Sequence, residues 1–226
     1  MKIAIPELSP GAIHLWELDL DHFLFNDVLS ADERERAAKF RFDHDRKRFT
    51  SGRTALRLLL AGYLKTNPEK IQFTYGPAGK PSIVNSPVSF NLAHSGANAL
   101  PAFALGSQLG VDIEQVRQLD DMPLVAQYSF SAGEFRRWRA LPDDQKTRAF
   151  YRCWTRKEAY LKAVGEGIAQ RLQKFEVAFE SGATPAILKG AEGDWTVIDT
   201  SREPYAAAIA CDAGNPALET YSLASI

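Results

Sequence analysis

A helix start occurs twice in this chain. Ser30-Ala31-Asp32-Glu33-Arg34-Glu35-Arg36 is echoed, roughly 100 residues on, by Ser131-Ala132-Gly133-Glu134-Phe135-Arg136-Arg137. In each, a serine can cap the helix while an early acid reaches back to the amides that the first turn leaves unpaired. About twenty residues beyond each start the sequence predicts a second helix, and Phe49-Thr50 with Arg53 and Arg57 lines up against Trp154-Thr155 with Glu158 and Lys162. A long unit seen twice predicts two related lobes, because solenoid repeats are shorter and more numerous.

Around these helices lie strand-like runs at 13–20, 71–75, 88–92, 99–105 and 110–116, then at 175–179, 195–200, 205–211 and 220–224. The expected class is α+β: two similar, pseudo-symmetric lobes, 1–108 and 109–226, each a small, mostly antiparallel sheet packed with helices. Their junction, near Gly106 to Gly110, is where a ligand site is expected, since such sites favour domain boundaries.

With 226 residues, 45% of them hydrophobic, the chain can bury a substantial core. Met1 to Pro6 has no apolar signal segment and no run is long enough to span a bilayer, so a cytoplasmic protein without a membrane partner is expected. Cys153 and Cys211 form no CxxC pair and read as reduced structural thiols. The net charge of -1 argues against general nucleic-acid binding. From Arg34 to Arg57, however, nine Lys or Arg residues face only Glu35, Asp43 and Asp45, which makes a local anion attractor or a solvated helix face.

The chemistry concentrates at the start of the second half. In Leu109-Gly110-Val111-Asp112-Ile113-Glu114, strand alternation puts Asp112 and Glu114 on one face while Val111 and Ile113 enter the core. In the helix predicted at Phe150 to Lys162, Trp154, Glu158 and Lys162 stack at four-residue intervals. Three carboxylates can hold a hard cation, and a lysine beside them suits a phosphate oxygen. Magnesium is the expected ion, because calcium lacks its loop motif here and zinc lacks clustered Cys or His ligands. Each piece also has an ordinary reading: a D-x-E on a strand is common, and Glu158 with Lys162 makes a plain helical ion pair.

Upstream, Val88 to Gly96 reads as a strand running into a turn, with His94 and Ser95 at its end where donors can meet an anion. Tyr75-Gly76-Pro77-Ala78-Gly79-Lys80-Pro81 is a turn with a lysine at its tip. Alone, neither exceeds a structural histidine or a turn. Together with the basic stretch and the acids they suit a polyphosphate ligand.

These motifs resemble the 4′-phosphopantetheinyl transferases of the two-lobed, surfactin-synthetase-activating (Sfp) type. The resemblance runs from about Ala31 to Gly167 and is carried by Arg48-Phe49-Thr50-Ser51-Gly52-Arg53, Gly79-Lys80-Pro81, Phe90-Asn91-Leu92-Ala93-His94-Ser95, Gly110-Val111-Asp112-Ile113-Glu114, Phe130-Ser131-Ala132-Gly133-Glu134 and Trp154-Thr155-Arg156-Lys157-Glu158-Ala159-Tyr160-Leu161-Lys162. It implies holo-carrier-protein synthase activity: coenzyme A gives its phosphopantetheine arm to a serine hydroxyl of an apo acyl or peptidyl carrier protein, leaving 3′,5′-ADP. It implies Asp112, Glu114 and Glu158 as magnesium ligands, Glu158 also as acceptor of the serine proton, and Lys162 as the cation beside the departing phosphate. Asp112, Glu158 and Lys162 are thereby the catalytic set. His94 and Arg48 fall where the family holds the 3′-phosphate, Gly79-Lys80-Pro81 lies along the adenine, and Lys39 is a further phosphate contact. Ala93 stands where many relatives have serine, so a hydroxyl contact to the nucleotide is missing or comes from Ser95. The basic segment could equally serve the acidic helix that carrier proteins present. Because the halves already mimic a dimer, a monomer is expected. The competing expectations are a magnesium phosphodiesterase acting on coenzyme A and a non-catalytic module that grips coenzyme A or a carrier.

Overall fold

In the computed structural model the described residues are 4–23, 28–165 and 172–223. In chain order they form β1 (Ala12–Asp19), α1 (Ala31–Ala38), α2 (Asp43–Tyr63), β2 (Thr74–Tyr75), β3 (Pro81–Ser82), β4 (Val88–Ser95), β5 (Asn98–Leu105) and β6 (Leu109–Gln115). There follow α3 (Met122–Ser129), α4 (Ala132–Arg139), α5 (Asp143–Val164), β7 (Glu176–Val177), β8 (Ile187–Lys189), β9 (Thr196–Asp199), β10 (Tyr205–Cys211) and β11 (Ala217–Leu223). The α+β class is as expected.

Two sheets and two long helices make four layers. The first sheet has the order β11-β1-β5-β4 and the second β6-β10-β9. Strand alternation gives each sheet two apolar faces. Ile13 and Leu15 of β1 meet Val111, Ile113 and Ile209 between the sheets, while Trp16 and Leu18 turn outward onto α2. On α2, Ala55, Leu56, Leu59 and Leu60 form one stripe at three- and four-residue spacing and are fully buried. Each such leucine contributes about 1.5–3 kcal/mol through burial. The alanines of β10, Ala206, Ala208 and Ala210, are small enough to admit α5 on the opposite side. At Gly110 the approach is closer still. A Cβ there would lie 2.1 Å from the Ala159 carbonyl and 2.3 Å from the Ala163 nitrogen, so β6 and α5 touch backbone to backbone.

The echoed helix starts become one device used twice. Ser131 accepts the Glu134 amide at 3.0 Å and its own amide donates to the Glu134 carboxylate at 2.8 Å; Glu33 likewise accepts the Ser30 amide at 3.0 Å. Each capping acid also takes a cation from the long helix behind it. Arg57 donates to Glu33 at 2.6 Å and to the carbonyls of Pro68 and Ile71. Lys157 donates to Glu134 at 2.6 Å and to the Phe175 carbonyl.

Several expectations need correction. The run at 71–75 is strand only at Thr74–Tyr75, and that at 175–179 only at Glu176–Val177. The last strand begins at Ala217 and pairs in parallel with β1, from Ala12 opposite Ala217 to Leu18 opposite Leu223, so a strand from the second half extends the first sheet. Helix α3 is additional: Met122, Ala126 and Ser129 bury one narrow face, and Pro123 sits in its first turn, where its missing N–H is harmless. Within the basic segment five of the nine cations have carboxylate partners among the described residues, and the segment keeps its positive excess. Arg53 and Arg57 serve Glu33, Arg48 pairs with Asp21, and Arg46 and Lys47 pair with Asp43. Gly167, Ala224 and Met1 to Ile3, named in the sequence expectations, lie outside the described residues.

Candidate active site

Asp112 and Glu114 leave β6 on the face turned to α5, while Val111 and Ile113 fill the core between the sheets. The Lys162 ammonium, from the last turn of α5, lies 2.5 Å from Asp112 Oδ1. Asp112 Oδ2 is buried without a partner, and so is Glu158 Oε1 one turn earlier on α5. Burial pushes the Asp112 carboxyl above the ordinary carboxylate range, against the pull of Lys162. Burial, then the Asp112 charge, raises Glu158 to about 7. Two desolvated acids against one lysine are short of positive charge, and that shortage suits a cation.

Strand β4 holds β6 in place. As the outer strand of its sheet, β6 has edge amides that need partners. Asn91 Oδ1 accepts the Val111 amide at 2.9 Å, and Ser95 Oγ accepts the Gln115 amide at 3.0 Å. Ser95 also donates to Glu114 Oε2 at 3.0 Å. Its hydroxyl, expected on the nucleotide, is therefore engaged inside the site. Sequence reasoning missed Asn91, although a polar residue on the core side of an apolar strand signals a buried partner.

The remaining expected residues surround this centre at different depths. His94 is exposed at the end of β4; partial desolvation and then Lys162 lower its pKa, with opposing and supporting charge from Glu114 and Arg48, so these groups share one electrostatic neighbourhood. Arg48 makes a bidentate pair with Asp21, both contacts at 2.7 Å. Lys39 is exposed at the C-cap of α1. Gly79 takes the left-handed conformation, φ 80°, that lets the turn after β2 close. Lys80 does not point to solvent: its ammonium reaches the carbonyls of Leu109 and Ala163. A cleft of about 320 Å³ opens beside Glu114 and Ser95 and runs past Val125, Phe150, Tyr151 and Trp154. Among the described residues no group of three or more His, Cys, Asp or Glu side chains surrounds a metal position; here Lys162 is on Asp112 and Ser95 is on Glu114. Among them, too, no helix is long and apolar enough to cross a membrane.

Buried acids with unpartnered oxygens, a lysine at the end of α5 and a cleft running from Glu114 and Ser95 make this the candidate reactive centre. Comparison with known proteins gives the family. Residues 14–103 match the family described as 4′-phosphopantetheinyl transferase, N-terminal, and residues 108–210 match the 4′-phosphopantetheinyl transferase superfamily. The chain is 40% identical to the 4′-phosphopantetheinyl transferase HetI of Nostoc sp., over 85% of this chain and 84% of that protein. It is 32% identical to a phosphopantetheinyl transferase of Thraustochytrium sp., over 80% and 72%, and 29% identical to the 4′-phosphopantetheinyl transferase Sfp of Bacillus subtilis, over 68% and 67%. The chain belongs to the 4′-phosphopantetheinyl transferase superfamily and is an enzyme of that class.

Proposed function

We propose that this chain moves the 4′-phosphopantetheine arm of coenzyme A to a serine hydroxyl of an apo acyl or peptidyl carrier protein, releasing 3′,5′-ADP, with Asp112, Glu158 and Lys162 as its catalytic residues. The supporting observation is the juxtaposition of β6 and α5, which leaves buried oxygens of Asp112 and Glu158 without partners beside the Lys162 ammonium. Glu158 accepts the serine proton, directly or through a water. The serine oxygen bonds to the pyrophosphate phosphorus next to the pantetheine, and the bridging P–O bond breaks. Lys162 meets the charge left on the departing phosphate. Asp112, Glu114 and Glu158 would hold a magnesium ion, which when bound neutralises the pyrophosphate and polarises the phosphoryl group.

His94 and Arg48 take the 3′-phosphate in this reading, with Arg48 exchanging Asp21 for the ligand. The turn Gly79-Lys80-Pro81 lies along the adenine, Lys39 adds a phosphate contact, and Ser95 acts beside the nucleotide through Glu114. Lobes of 1–108 and 109–226, with β11 returning to the first, a monomeric state and a cytoplasmic location belong to the same proposal. The test is a panel of apo carriers from fatty-acid, polyketide and nonribosomal-peptide systems, incubated with coenzyme A. Modification that a chelator abolishes and magnesium restores supports the reading. Free phosphopantetheine with every carrier unmodified supports a phosphodiesterase instead, and coenzyme A binding without turnover supports a binding module.

A further inference from the structure

The side chain of Lys80 has a contact set unlike that of a nucleotide ligand. Its turn is closed by the Gly76 amide on the Lys80 carbonyl at 2.9 Å and the Gly79 amide on the Gly76 carbonyl at 2.8 Å, and it leads into β3. From there Nζ donates to the Leu109 carbonyl at 2.9 Å and to the Ala163 carbonyl at 2.7 Å. Leu109 opens β6, three residues before Asp112, and Ala163 follows Lys162 near the end of α5. One ammonium thus joins the two elements that carry the acid cluster, and does so from a turn that belongs to neither.

Two further features make that bridge consequential. Helix α5 ends on Gly165 in the left-handed conformation, φ 72°, whose amide returns to the Leu161 carbonyl. The last carbonyls of a helix otherwise lack partners, and a cation there also complements the helix dipole. Lys80 supplies both. The contact of α5 with β6 at Gly110, meanwhile, has no side chain between the backbones. A bare contact of this kind permits close approach, but no interlocking side chain at that point stops the helix sliding along the strand. Burial lowers the Lys80 pKa to about 8, which leaves it mainly protonated at neutral pH and able to donate to both carbonyls.

We propose that Lys80 is a positioning residue: it caps the C-terminal end of α5 across the lobe boundary and fixes the placement of Glu158 and Lys162 against Asp112. The inference rests on the transferase reading of those three residues. It assigns the Lys80 side chain to the alignment of the reacting groups and leaves only the backbone of its turn to the nucleotide.

Steady-state kinetics with coenzyme A, magnesium and an apo carrier test it, at a temperature where circular dichroism shows every variant folded. Lys80→Met is expected to lower kcat about 10- to 100-fold, as misplacement by about an ångström does, with KM for coenzyme A within about twofold of wild type. Lys80→Arg, which keeps charge and donors, is expected to restore kcat to within about threefold. Unchanged kcat in Lys80→Met, or a raised KM with kcat intact as loss of a nucleotide contact would give, overturns the proposal. If Lys80→Met does not fold, Lys80→Gln replaces it beside Lys80→Arg, and equal turnover of those two overturns it. Glu158→Gln measured alongside separates the layers: full turnover there faults the catalytic assignment, whereas its loss with intact Lys80→Met faults only the role of Lys80.

Discussion

Glu158 stands one helical turn before Lys162, yet only Lys162 reaches Asp112, at 2.5 Å, and Glu158 keeps a buried oxygen without a partner. Replacing that carboxyl by an amide removes the base but not the shape. Glu158→Gln is expected to lower kcat by at least about 100-fold, within the range of lost acid–base catalysis. Because burial disfavours the ionised acid, its melting temperature at neutral pH should equal or exceed that of the wild type. Steady-state kinetics and a thermal melt on the same preparation check both.

Behind the cleft, Lys157 and Glu134 form an ion pair with both side chains fully buried. Removing one partner strands the other charge and costs about 3–5 kcal/mol. Lys157→Met should therefore lower the melting temperature by about 10 °C in a chain of this size. The double variant Lys157→Met with Glu134→Gln, which removes the stranded charge and keeps an acceptor for the buried amides of Ser131 and Val177, should recover part of that loss, as thermal or urea unfolding would show.

Asn91 keeps β6 in place through the Val111 amide. Asn91→Leu leaves that buried donor unpaired and costs about 1–3 kcal/mol. Since Val111 adjoins Asp112, turnover should fall as well, by about tenfold or more. Urea denaturation with kinetics on the folded variant measures the two effects separately.

Glu176 supplies a pH signature away from the site. The Ser131 hydroxyl, and then Lys189 and Arg137, hold its carboxyl at about 2 against the desolvation that would raise it, compared with 4.5 for an ordinary glutamate. The unfolded chain thus binds the proton more readily. Stability from this group is present above pH 4.5 and is lost as pH falls toward 2, on the order of 3 kcal/mol in all. Denaturant unfolding of wild type and Glu176→Gln across that interval should show a shallower decline in the variant.

Local patterns carried much of this site in the sequence. Alternation put Asp112 and Glu114 on one face because Val111 and Ile113 are apolar and the strand period is two. The capping serines marked α1 and α4 because cap chemistry is local. What stayed hidden depends on contacts between distant segments. Nothing in 217–223 announces a parallel partner in β1, and nothing near Lys80 announces the carbonyl of Ala163. The partners of Arg57 and Arg48 stayed hidden as well, because Glu33 and Asp21 lie outside the basic run and reach it through tertiary folding. Helix α3 was missed because only Met122, Ala126 and Ser129 bury its face.

The central claim is that Asp112 and Glu158 serve phosphopantetheine transfer to a carrier serine. Intact-protein mass spectrometry of an apo carrier, incubated with coenzyme A, magnesium and either wild-type enzyme or a folded Asp112→Ala or Glu158→Ala variant, tests it most directly. The predicted result is a gain of one phosphopantetheine arm with the wild type and none with either variant. Wild-type turnover by both variants, or a wild type that frees phosphopantetheine and leaves the carrier unmodified, would contradict it.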